Sequence, residues 1–240
     1  MTLTSGMGPR LAADVTEKCY TATNNQWICA DYWRDFRPEL VEATKEHIWI
    51  TIISVGLGLA LALPLAVIAR RFMRLEGLIV GTTTVIYTVP SLAMFSLLLP
   101  FTGISATSVI IGLALYSLTI LVRNILAGLR GVPDEVKESA VGSGYGSARL
   151  LLKVELPLAM PVIVAGLRVA TVSTVALTTV GTILDAGGLG DLLSEGVNSD
   201  FKAQIFAASV LCVALAVVLD LMIVVGEWLS LPWVRAGGRA

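Results

Sequence analysis

Ile48 to Ala69 runs without one charged residue, and this stretch constrains the chain more than any other feature. As a helix it extends about 33 Å at 1.5 Å per residue, enough to cross the hydrocarbon of a bilayer. Four more long apolar runs follow: Leu78 to Phe101, Ile104 to Val122, Leu158 to Leu184, interrupted only by Arg168, and a fifth within Phe201 to Glu227, at about 203–227, with Asp220 inside it. Lipid offers no partner to a backbone N–H or C=O, so runs of this length become helices. Composition agrees: 55% of residues are hydrophobic and 15% charged, where soluble domains carry about 25% charged. The expected fold is all-α and integral to the membrane. A domain of residues 47–230 holds five spans, preceded by a segment 1–46 too polar for a sixth and followed by a tail, 231–240.

Positive residues orient the spans. Arg70, Arg71 and Arg74 follow span one; Arg123, Arg130, Lys137, Arg149 and Lys153 lie between spans three and four; Arg235 and Arg239 follow span five. With five spans all three groups fall on one side, the expected cytoplasmic side, so the N-terminus is expected outside. In segment 1–46, Trp33, Phe36, Leu40 and Val41 approach helical spacing, and Trp27, Trp33 and Trp49 suit a water–lipid boundary. A short helix lying on the membrane before span one is expected. Outside the cell, Cys19 and Cys29 are free to form a disulfide; two free thiols remain the alternative.

The polar stretch Pro133 to Pro157, PDEVKESAVGSGYGSARLLLKVELP, interrupts this pattern. Asp134, Glu135 and Glu138 favour the positive end of a helix dipole. Gly142, Gly144 and Gly146 break that helix, and a second piece, Ser147 to Glu155, is expected to stop near Pro157. The result is a two-helix unit standing in water.

Its order also resembles the EAA signature of binding-protein-dependent ABC importer permeases, E-A-A-x3-G-x9-I-x-L-P. Glu138, Ser139, Ala140, Gly144, Val154, Leu156 and Pro157 occupy the signature positions, with serine for the first alanine and valine for isoleucine. TVPSLA in span two and AGGLG at Ala186 to Gly190 are similar to permeases importing osmoprotectants: glycine betaine, choline, carnitine and related quaternary amines. The resemblance covers about Glu46 to Glu227. It implies an importer type I permease fold and a divided mechanism. Two permease subunits, identical or paralogous, form the path, an extracytoplasmic substrate-binding protein delivers substrate, and two ATPase subunits bind ATP and Mg. This chain lacks the G-x4-G-K-[ST] loop, so no cofactor is expected in it. The unit 123–157 is then the coupling loop that meets the ATPase, in the plasma membrane of a prokaryote.

Quaternary amines are attracted to aromatic faces, so Tyr87, Phe95 and Tyr116, with Pro90 interrupting span two, are candidates for the translocation path. Arg168 and Asp220 lie at matching depths in spans four and five and are expected to pair. Gly187 to Gly190 is expected to form an outward or re-entrant turn. His47 is expected to be an interfacial polar residue, and Cys212 to pack as a small hydrophobe. Nothing forms a metal pattern or a catalytic arrangement in the spans, and no basic patch interleaved with aromatics marks nucleic acid. Two alternatives stand: an importer of another small zwitterion or an amino acid such as methionine, and an ion-gradient secondary transporter, for which one intramembrane Arg and one Asp make a thin case.

Overall fold

A computed structural model describes residues 18–184 and 186–232. The far N-terminus and the tail from residue 233, with Arg235 and Arg239, lie outside the described residues. The described chain is helical: α1 (Ala30–Asp35), α2 (Arg37–Arg71), α3 (Met73–Thr88), α4 (Ser91–Thr102), α5 (Ala106–Arg130), α6 (Asp134–Gly142), α7 (Ser147–Leu150), α8 (Leu156–Thr178), α9 (Leu189–Asn198) and α10 (Lys202–Ser230).

The apolar runs become helices long enough to cross a membrane at α2, α5, the run Ser147–Leu184 and α10, with α3 and α4 as a bent pair. Helix α5 is the axis of the bundle. In its most apolar window 67% of residues are buried, against 11% in that of α10. Residues Leu118, Leu121, Val122, Ile125 and Leu129 on α5 pack with Ala62, Ala66 and Ala69 of α2 and with Ala159 and Ile163 of α8. Helices approach closely here because side chains are missing. A Cβ at Gly128 would lie 2.9 Å from the Ala159 carbonyl oxygen, and one at Gly166 would lie 2.3 Å from Asn124 Cβ. In lipid, where apolar burial gives helices little reason to associate, such small-residue contacts supply the packing.

Four expectations need correction. The helix expected to lie on the membrane before span one is continuous with it: α2 is a single helix of 35 residues, about 52 Å long, so its first turns project beyond the spanning stretch. Span two is not one rod, because α3 and α4 meet at Val89-Pro90 with a bend of 101°. Pro157 does not stop a helix. Leu151–Glu155 is a π-turn that leads directly into α8; its wider hydrogen-bond spacing absorbs the N–H that proline lacks, and the helical run continues from Ser147 to Leu184. The turn expected at Gly187 to Gly190 is shorter than that, because α9 begins at Leu189. Leu189, Leu192 and Leu193 recur there at helical spacing in LGDLLSEGVN.

Candidate functional site: the polar elbow and its anchors

Helix α6 starts after Pro133, with Asp134 and Glu135 in its first turn. It closes in a Schellman motif: Gly144 N–H donates to Val141 O at 2.9 Å and Tyr145 N–H to Ala140 O at 3.1 Å. Gly144 sits at φ +84°, a conformation that L side chains avoid; neither Gly142 nor Gly146 has a positive φ. The chain then reverses into α7. Between the two arms lies an open notch of about 450 Å³ lined by Glu135, Val136, Ser139, Ala140, Ser143, Tyr145 and Val154. Arg149 stacks over the Tyr145 ring at 4.6 Å.

No residue of α6 is buried. Glu138 and Ser139 are exposed, and Glu138 makes no ion pair among the described residues. Val136 and Val141 are 38% and 56% exposed, an apolar load that nothing among the described residues covers. Val154, Leu156 and Pro157 are half-buried where the elbow joins the bundle.

Two ion pairs fix the elbow end. Glu155, 1% exposed, accepts a two-pronged hydrogen bond from Arg70 at the end of α2. Arg130, at the end of α5, donates to Glu76 in the first turn of α3. Sequence reasoning missed both, treating Arg70 and Arg130 only as marks of orientation. Glu155 stands between two signature positions, and its burial depends on an α2 side chain far away in sequence. Within the bundle, Arg168 donates from Nε and Nη2 to the two Asp220 oxygens at 2.7 and 2.8 Å, joining α8 to α10.

The four path candidates are not alike. Phe95 is fully buried against Gly112, where a Cβ would come within 2.8 Å of its ring; it packs α4 on α5 and cannot line a path. Tyr116 is also buried, and its hydroxyl donates to the Val89 carbonyl at the α3–α4 bend. Tyr87 is 46% exposed and meets Tyr116 edge to face, centroids 5.9 Å apart.

At the opposite end of the bundle, Cys19 and Cys29 form a disulfide, which leaves the neighbouring Asp31 no thiolate with which to share a metal. Tyr20, Tyr32 and Phe36 cluster with Phe201 at the start of α10, and Trp33 packs against the same cluster while Trp27 and Trp49 stay exposed. Asn25 clasps the α9–α10 turn, donating to Asp200 O at 2.5 Å and accepting from Lys202 N–H at 3.0 Å. Hydrogen bonds from Lys18 and Tyr20 hold the Asp35 carboxyl below the usual carboxylate range, and burial pushes the Tyr32 phenol up to about 12. Gly187 and Gly188 both take positive φ, and Gly188 N–H donates to Glu46 at 2.9 Å. His47 is not interfacial: it is fully buried, its Nε2 3.0 Å from Val175 O.

These features describe a helical membrane domain with a protruding, uncovered elbow, and the chain belongs to the family of binding-protein-dependent transport system inner membrane components, whose model matches residues 54–229. It is a multi-pass membrane permease of the ABC importer class. It is 38% identical over 79% of its length to the choline transport system permease protein OpuBB of Bacillus subtilis, covering 87% of that protein. It is 34% identical to the osmoprotectant import permease protein OsmW of Salmonella typhimurium, over 79% of this chain and 90% of that one. The inward-facing MetNI methionine ABC transporter shares the fold, with a TM-score of 0.70 at 20% identity over 84% of this chain and 97% of that chain.

Proposed function

We propose that this permease imports osmoprotectant quaternary amines such as choline, glycine betaine or carnitine, driven by ATP hydrolysed in a separate subunit that seats on the elbow. The observation that carries the coupling is α6 itself, a helix with no buried residue that bears the signature residues Glu138, Ser139 and Ala140. Its notch has room for a protruding side chain of the ATPase. Gly144 sets the reversal, while Val154, Leu156 and Pro157 join the elbow to α8, so a displacement of α6 passes into spans three and four.

ATP and Mg belong to two ATPase subunits, two permease copies form the path, and a binding protein docks on the face formed by the N-terminal cap and α9. The elbow then faces the cytoplasm and the disulfide faces outward, consistent with the positive residues and with where disulfides persist. The substrate class rests on relatives named for choline, carnitine and glycine betaine transport.

Uptake of labelled choline and glycine betaine, by cells expressing the chain with its ATPase and binding protein, tests the reading. Import that ceases when the ATPase is inactivated agrees with it. Import that persists on an ion gradient alone contradicts it, and ATP-driven uptake of methionine but of no quaternary amine would move the substrate class.

A further inference from the structure

Arg123, expected just past the end of span three, lies instead within α5 alongside the core positions Val122, Ile125 and Leu126, and has no counter-charge among the described residues. The Arg130–Glu76 pair marks the level at which α5 and α3 leave the bundle. Thr84 lies eight residues into α3 from Glu76, and Arg123 seven residues back along α5 from Arg130, about 10–12 Å from that level. Arg123 is exposed, and its one hydrogen bond among the described residues is from Nη2 to the Thr84 hydroxyl at 2.7 Å. Arg168, by contrast, is neutralised by Asp220. A guanidinium at such depth is too costly in lipid and must face water or protein. One turn further from the elbow, on the adjoining α3 surface, Tyr87 and Thr88 are exposed as well. Tyr87 is held edge-on by Tyr116, whose own hydroxyl is committed to the Val89 carbonyl.

We propose that Thr84, Tyr87 and Thr88 of α3, with Arg123 of α5, form a substrate station on the translocation path for zwitterionic quaternary amines. The Tyr87 ring takes the alkylammonium and the unspent donors of Arg123 take the carboxylate. The chemistry fits both ends of such a molecule: an aromatic face attracts a quaternary ammonium, and arginine offers a planar fork to a carboxylate. Residues three apart on a helix are neighbours, so Tyr87 lies one turn from the Thr84 hydroxyl that holds Arg123. Choline has the cation without the carboxylate, so the station separates zwitterions from choline. This proposal rests on the osmoprotectant reading.

The test is import by the complete complex in vesicles, with binding protein saturated by glycine betaine or by choline. Arg123→Gln is expected to slow betaine import by about 10-fold or more while leaving choline within about 2-fold, because one charge-assisted pair is lost for one substrate only. Tyr87→Leu is expected to slow both by about 3- to 30-fold, the range of cation–π contacts from exposed to desolvated, and Tyr87→Phe to restore both. Equal loss of both substrates in Arg123→Gln, unchanged rates in Tyr87→Leu, or a wild-type complex that carries choline but no zwitterion overturns the station. A wild-type complex that carries no quaternary amine overturns the underlying reading as well, and shows itself before any variant is made. A check independent of rates uses Thr88→Cys in a Cys212→Ser background, with a quaternary-ammonium methanethiosulfonate reagent. Labelling in the assembled complex, slowed by betaine, is expected; no labelling places this face against lipid or packed protein and overturns the proposal.

Discussion

A side chain at Gly144 would meet no atom within 4 Å, so its requirement is purely conformational: φ is +84°. Gly144→Ala is expected to cost the elbow about 1–2 kcal/mol of local strain and to weaken import. Gly144→Asp adds a charge on the elbow proposed to seat the ATPase and should abolish import while the amount in the membrane stays unchanged; uptake normalised to immunoblot measures both, and full activity in either variant would contradict the strained reversal. At Glu155 the problem is burial. Glu155→Ala leaves the partly buried Arg70 without its carboxylate, a loss of about 3 kcal/mol, read as a lower melting temperature in detergent. Arg70→Ala should do similar damage. The double variant should lose less than the sum of the two, because the pair fails as one unit.

At the scale of elements, legibility followed the solvent. Helices α2 and α5 could be read from charge-free runs and α10 from a run broken only by Asp220, since in lipid one rule, satisfying the backbone internally, overrides the rest. What escaped depended on tertiary partners. The break at Pro90 was readable but its 101° bend was not, because at the bend the Val89 carbonyl finds the Tyr116 hydroxyl on another helix. Pro157 looked like a stop, yet the π-turn before it carries the helix through. The N-terminal cap is a separate element held by its own staple. Its disulfide closes a loop with a sequence separation of 10, worth about 2–3 kcal/mol on chain-entropy grounds. Cys19→Ser with Cys29→Ser should therefore loosen the cap from the α9–α10 turn, seen as faster amide exchange at Asn25 and Lys202, with exchange in α5 unchanged. The Asp35 carboxyl adds a pH dependence to the same cap. Its folded pKa is lowered, so its contribution is present above the unfolded carboxylate value and fades as pH falls through the lowered one; cap exchange should rise only in strong acid.

For the whole molecule, the buried α5 forms an axis, α10 leaves most of its surface to lipid or to another subunit, and the elbow projects from the end of the bundle that Arg70 and Arg130 tie together. The signature in Pro133 to Pro157 was legible in the sequence because it is local. Its anchoring through Glu155 was not, since that needs α2 folded beside it. The most direct measurement places a cysteine at Ser139 in a Cys212→Ser background and adds a short bifunctional cross-linker to the isolated complex. The account predicts one product of permease plus ATPase subunit, its yield changing with bound nucleotide and falling when Glu138→Lys is added. A cysteine at Ser139 that reacts with membrane-impermeant reagent outside intact cells, or joins no nucleotide-hydrolysing subunit, would contradict it.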